Sequence, residues 1–117
     1  MIEIDPVPKP RMTRADKWKQ RDCVVRYRAF CDELRLKTRG LRIPCTGLHL
    51  IFKIAMPPSW PKSKCVEMAG KPHKQKPDVD NLIKSVFDAL CEDDSYIYDI
   101  RATKLWDWKG SIEFRES

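Results

Sequence analysis

Lys76-Pro77-Asp78-Val79-Asp80-Asn81-Leu82-Ile83-Lys84, with Glu92-Asp93-Asp94 a short way on, is the stretch around which this chain is organised. Pro77 biases Lys76 towards an extended backbone. An extended Asp78-Val79-Asp80 turns both aspartates to one side, because side chains alternate along a strand. Asp80 then suits the N-cap of a helix predicted from Asp80 or Asn81 to Leu90, with Lys84 one turn later on the same face. Ile83, Val86, Phe87 and Leu90 supply the inward stripe of that helix. Two ionised carboxylates about 5 Å apart, at an effective dielectric of about 20, repel by roughly 3 kcal/mol. Either one takes up a proton or a cation stands between them. Oxygen donors without nitrogen or sulfur neighbours suit Mg²⁺ or Mn²⁺ better than zinc, and a third acid from Asp93-Asp94 would complete the set. The plainer reading is a capped helix with a salt-bridged face, Lys84 pairing with Asp80 or Asp88. The pattern alone leaves both open.

Upstream, Leu48 to Ala55 reads as a central strand bounded by Gly47 and by Pro57-Pro58. From Pro57 to Pro77 runs a long polar connection with Trp60, Lys62, Lys64, Lys71, Lys74 and Lys76. Within it, Ser59 before Pro61 predicts a short helix reaching Met68 and ended by Gly70. A connection of this length is either a mobile loop or a functional one, and its lysines and tryptophan could grip phosphates and stack on an unpaired base. Residues 2–7 alternate as a first strand closed by Pro6, Pro8 and Pro10. Lys9, Arg11 and Arg14 follow on a proline-stiffened segment, either a solvated loop or a phosphate-contacting arm. From Asp16 to Lys37 the period is helical, with Cys23, Val24, Tyr27, Phe30, Cys31 and Leu34 on one stripe and Gly40 as the stop. Downstream, Tyr96 to Trp106 reads as a long strand, and Ile112-Glu113-Phe114, after the turn residue Gly110, as its hairpin partner. The expected fold is α/β of the α+β type: one domain over residues 1–117, a small mixed sheet of about four strands and two main helices.

A chain of 117 residues buries enough surface for one core without staples. Its net charge of +6 is unevenly spread. Residues 1–76 carry 18 lysines and arginines against 7 acids (+11), whereas residues 77–117 carry 5 against 10 (−5). A basic body around an acidic centre fits a protein that holds a polyanion and acts on it through a metal. The five cysteines are scattered with no C-x-x-C pair, which argues against zinc ligation and a disulfide framework and for buried thiols in a reducing cytoplasm. His49 falls in a strand and reads as structural, while His73, in the basic connection, is placed to touch a phosphate. Met1-Ile2-Glu3-Ile4-Asp5 does not read as a signal peptide, and no apolar run approaches membrane-spanning length. A cytoplasmic protein with no membrane partner and no small-molecule substrate is expected.

Pro77-Asp78-Val79-Asp80-Asn81-Leu82-Ile83-Lys84, then Phe87-Asp88-Ala89-Leu90, Asp93-Asp94-Ser95 and Lys104, closely resembles the RusA family of Holliday junction resolvases. Pro8-Lys9-Pro10-Arg11 and Met56-Pro57-Pro58-Ser59-Trp60-Pro61-Lys62 are weaker echoes. The resemblance implies a small homodimer, often phage-borne, that nicks four-way DNA junctions symmetrically with a divalent metal, in recombination and repair. It implies Asp78, Asp80 and Asp94 as metal-binding acids and Lys84 as the catalytic lysine, with Asp93 and Glu92 as neighbouring candidates. Lys9, Arg11, Arg14, Lys62, Lys64, Lys71, Lys74 and Lys76 are the candidate DNA contacts. Only Cys91 and Glu92 separate Leu90 from the acidic pair, so a return strand would have to carry Asp94 back along a helix about 15 Å long. Two rival readings stand beside this one. A non-catalytic junction- or fork-binding module would use the acids only as caps, and a basic phage regulator would bind linear duplex through the first helix.

Overall fold

The computed structural model describes residues 1–11, 22–39, 41, 47–91 and 93–116. These form β1 (Ile2–Glu3), α1 (Asp22–Lys37), β2 (Leu48–Ala55), α2 (Lys62–Met68), α3 (Val79–Leu90), β3 (Ile100–Asp107) and β4 (Ser111–Glu116). The four described strands make one mixed sheet in the order β1-β4-β2-β3. β2 is its central strand, parallel to β3 and antiparallel to β4. The α+β architecture expected from the sequence is the one observed.

Alternation along β2 places Leu48, Leu50 and Phe52 on one side, where α1 and α3 pack over them. α1 contributes Val24, Tyr27, Phe30, Cys31 and Leu34 at steps of three and four, all buried. Cys23 differs from the expected stripe: it is exposed, and among the described residues Cys31 and Cys65 are the buried thiols. α3 contributes Leu82, Ser85, Val86, Phe87 and Ala89. Its inward stripe is rotated from the expected one, since Leu82 is fully buried while Ile83 and Leu90 are only partly so. The opposite face of the sheet is mostly polar around the buried Ile51. There His49 Nε2 lies 2.9 Å from Thr103 Oγ1, and Lys53 pairs with Glu113 at 3.6 Å. Burial, then the charges of Arg101 and Arg115, hold the His49 imidazole below its ordinary pKa, which suits a structural role.

Three expectations are corrected here. The first strand stops at Glu3, pairing Ile2 with Ile112 and Glu3 with Ser111, and residues 4–11 leave the sheet. The long strand from Tyr96 begins only at Ile100, because Ser95 and Tyr96 form a turn. β3 and β4 are not a hairpin: β2 lies between them, and the 107–111 link crosses the end of β2, where the Met56 N–H donates to Asp107 O at 3.0 Å. Gly110 on that crossing is required sterically, since a Cβ there would stand 2.8 Å from the Cα of Asp5. Gly40, Arg14, Cys45, Glu92 and the proposed helix start at Asp16 lie outside the described residues.

Candidate active site

The Pro57–Pro77 connection is not a free loop in its last third. Pro61 caps α2, and the chain leaves that helix through Gly70, whose φ of +82° is costly for a residue with a Cβ. From there it runs along the outer edge of β3. The Gly70 N–H donates to Trp106 O at 2.8 Å, Trp106 N–H to Lys71 O at 2.9 Å and His73 N–H to Lys104 O at 3.0 Å, and Pro72 bridges Leu105. The Lys104 ammonium then donates to Gln75 O and to Pro77 O, each at 2.7 Å. A ribbon of backbone thus covers an otherwise open strand edge and delivers the chain to Asp78. Lys71, Lys74 and Lys76 are exposed along it.

This ribbon also settles His73 and Trp60. His73 is buried with its ring 4.2 Å from that of Trp106, and burial followed by the charge of Lys104 lowers its pKa. It is a packing residue and is not free to meet a phosphate. Trp60 packs at 4.7 Å against Trp106 with Met56 and Cys65, and Lys64 stands 4.2 Å over its ring. The partly buried ring is thus engaged within the protein, unlike the free stacking platform expected.

Asp78, with φ −70° and ψ 145°, is the N-cap of α3, so the helix begins two residues earlier than the expected Asp80 cap. Val79 and Asp80 are already helical, and the extended Asp-Val-Asp expected from the sequence does not form. The backbone of Asp78 caps, through the Leu82 N–H donating to its carbonyl at 3.2 Å, but its carboxylate makes no capping bond. Asp80 sits in the first turn, 4.0 Å from Lys84 Nζ, with side-chain exposures of 67% and 60%. Two carboxylates are therefore carried at the N-terminal end of α3. They are oxygen donors of the type that a hard divalent cation takes.

Asp94 is elsewhere. α3 ends at Leu90 with Cys91 extended, and its 12 residues span about 18 Å. Asp94 is exposed in the turn that follows, its carbonyl accepting from the Ile97 N–H at 3.1 Å, while Asp93 Oδ1 accepts from the Ser95 N–H at 3.0 Å. Burial, with the neighbouring Asp94 charge adding to it and the Tyr96 hydroxyl opposing it, raises the Cys91 thiol pKa. The return strand does reach the start of α3, but the residue that arrives there is Lys104. Among the described residues, no three acid, histidine or cysteine side chains stand together closely enough to hold one metal ion. Asp78 and Asp80 are oxygen donors of suitable chemistry at the start of α3, and the third acid is not assembled with them.

Asp88 forms a second polar cluster, two turns along α3. Its Oδ2 accepts from Tyr27 Oη at 2.5 Å and pairs with Lys9 Nζ at 2.7 Å, so the alternative partner weighed for Lys84 is taken. Lys9 N–H also donates to Asn81 O at 3.2 Å. The N-terminal arm is thereby clipped across α3 by one residue. Burial opposes ionisation of Asp88, but the hydrogen bonds from Lys9 and Tyr27 outweigh it and its pKa falls below the ordinary value. Burial and the Asp88 bond push the Tyr27 phenol well above its usual range.

A family model described as endodeoxyribonuclease RusA matches residues 3–115, almost the whole chain. The chain belongs to the RusA endodeoxyribonuclease family. RusA proteins are endonucleases that act on branched DNA and resolve Holliday junctions. Neither curated proteins nor solved structures gave a match to the chain. No helix among the described residues is long and apolar enough to cross a membrane.

With the RusA assignment in place, the basic residues divide into two groups. Lys62 and Lys64 on α2, with Lys71, Lys74 and Lys76 on the ribbon, are exposed and lie on the chain that leads to Asp78. Lys9 is committed to Asp88, and Arg11 follows it on the clipped arm. The Tyr27–Asp88–Lys9 clip and the ribbon contacts of Lys104 were not anticipated. The Lys104 signal was present: it occupies the same register face as Ile100, Ala102 and Trp106, paired opposite buried Phe52. A lysine on an apolar face requires hydrogen-bond acceptors there.

Proposed function

We propose that this RusA protein is a metal-dependent nuclease that cuts four-way junctions by paired, symmetric nicks in recombination and repair. The observation that carries the proposal is the pair Asp78 and Asp80, held at the start of α3 with Lys84 alongside and no capping duty for the Asp78 carboxylate. These two acids would hold Mg²⁺ or Mn²⁺, with Asp94 as third donor on the strength of the family resemblance. The cation, when bound, would supply Lewis-acid polarisation of the scissile phosphate and a more acidic attacking water. Lys84, exposed and only weakly held at 4.0 Å from Asp80, is free to turn its ammonium to charge developing on the phosphate. The ribbon lysines Lys71, Lys74 and Lys76 would grip the backbone of a junction arm beside the cut. Paired nicks need two such sites facing two strands, which a two-fold homodimer supplies.

The test is cleavage of a labelled four-way junction against linear duplex, with and without Mg²⁺. Wild type is expected to nick the junction in a metal-dependent way. Asp80→Asn and Lys84→Met should each lose cleavage by at least about 100-fold while still binding the junction. The Asp80–Lys84 pair is too exposed for either substitution to cost more than about 0.5 kcal/mol of stability. Binding without cleavage in Mg²⁺ or Mn²⁺ would sink the proposal and leave a junction-binding module.

A further inference from the structure

We infer that Lys104 is a positioning residue for the reaction: its ammonium fixes the segment that presents Asp78, and through it the first turn of α3. The inference rests on reading Asp78 and Asp80 as the acids that act on the phosphodiester. β3 runs Ile100, Ala102, Lys104 and Trp106 along one face, against Leu48, Leu50, Phe52 and Ile54 of β2. Lys104 stands opposite a fully buried phenylalanine and is itself only partly exposed. A cation at such a position is held by acceptors, and here they are the carbonyls of Gln75 and Pro77, both at 2.7 Å. The backbone carbonyl of the same residue accepts from the His73 N–H at 3.0 Å. Lys104 therefore holds the incoming segment at three successive odd-numbered residues, the last immediately before Asp78.

The geometry makes this a matter of direction as well as stability. Pro77 has no N–H, and Asp78 caps only through its carbonyl to the Leu82 N–H. Among the described hydrogen bonds, those to the Lys104 ammonium are the ones that fix the carbonyls flanking Lys76. Without them the chain could rotate about the segment just before Asp78, and the carboxylate with it. An ammonium has three protons; two are used here, and one of the carbonyls they hold, that of Pro77, belongs to the residue just before the acid. A neutral side chain of the same length would fill the same space and leave both carbonyls without that donor.

The experiment compares wild type, Lys104→Met and, as a control on the far face of the sheet, Lys53→Met. Amide hydrogen exchange is read at Leu82, whose N–H reports the first turn of α3, and at Phe52, which reports the core. Single-turnover cleavage and metal-free junction binding are measured on the same proteins. Lys104→Met should speed exchange at Leu82 about tenfold and leave Phe52 unchanged, as local opening without global unfolding does. Cleavage at saturating junction should fall about 100-fold, with binding changed less than twofold, because a misplaced catalytic group affects turnover more than affinity. Lys53→Met should behave as wild type in all three. If Lys104→Met also loses protection at Phe52, Lys104→Gln, which keeps a donor for one carbonyl, replaces it and should give an intermediate value of both ratios. Leu82 exchange and cleavage both within twofold of wild type would overturn the inference. A wild type that never cuts the junction would instead overturn the nuclease reading, and the Leu82 comparison would still decide whether Lys104 holds the segment.

Discussion

Asp88 shows how much one carboxylate can organise when it is half-exposed and doubly bonded. It ties α3 to α1 through Tyr27 and to the N-terminal arm through Lys9, on a single oxygen. Its pKa is lowered in the folded protein from an ordinary value of 3.8, since the two donors outweigh the opposing effect of burial. A carboxyl depressed on folding stabilises the fold at pH values above its unfolded pKa, and that stabilisation is lost as pH falls through the folded one. Asp88→Asn should therefore lower stability by about 1 kcal/mol at pH 7, a figure reduced for the 38% exposure of the side chain. The gap to wild type should hold from pH 7 to about 5 and close below about pH 4. Urea unfolding at a series of pH values checks this; a gap independent of pH down to 3 would mean that the clip contributes through packing alone. Asp80 and Lys84, by contrast, were legible because an i,i+4 pair at a helix start follows from spacing alone. The clip was not, because Tyr27, Lys9 and Asp88 are brought together across 61 and 79 positions of sequence.

At the level of elements, the local signals served well and the non-local pairings did not. β2 was legible to the residue, since Gly47 and Pro57-Pro58 bound a run of β-formers. α2 and α3 were placed within a turn by Pro61, Gly70 and apolar spacing. The supposed hairpin failed because strand patterns state which face is buried, not which neighbour supplies the hydrogen bonds; a 107–111 link can turn back or pass over an intervening strand. The same blindness hid the 70–77 ribbon, whose partner is the edge of β3. Gly70 is the residue on which that ribbon turns. Its φ of +82° sits in open space, so Gly70→Ala meets no clash and pays only for the backbone conformation. A loss of about 1 kcal/mol is expected by urea unfolding, with amide exchange faster at His73, whose N–H is a ribbon bond. A neutral result would show that the segment reaches β3 without the turn.

Across the whole molecule, charge has been sorted by what each cation is bound to, and this separates two sets of lysines that the sequence could only group together. Lys71, Lys74 and Lys76 are exposed on the ribbon leading to Asp78, whereas Lys9 has its charge committed to Asp88 at 2.7 Å. A lysine that meets a DNA phosphate displaces condensed counterions, and each such contact adds about 0.9 to the slope of log affinity against log salt on B-form arms. Junction binding by wild type, measured without metal at several salt concentrations, gives the reference slope. Replacing Lys71, Lys74 and Lys76 together by alanine should lower it by about 2 to 3, weakening binding at every salt concentration tested. Lys9→Ala should leave the slope within about 0.5 of wild type, because its partner is an acid of the protein and not of the DNA, while losing stability much as Asp88→Asn does. The reverse pattern, a slope sensitive to Lys9 and indifferent to the ribbon, would place the junction arm over the N-terminal segment. The cut would then be approached from the α1 side, and the basic ribbon beside Asp78 would be a solvated edge of the sheet.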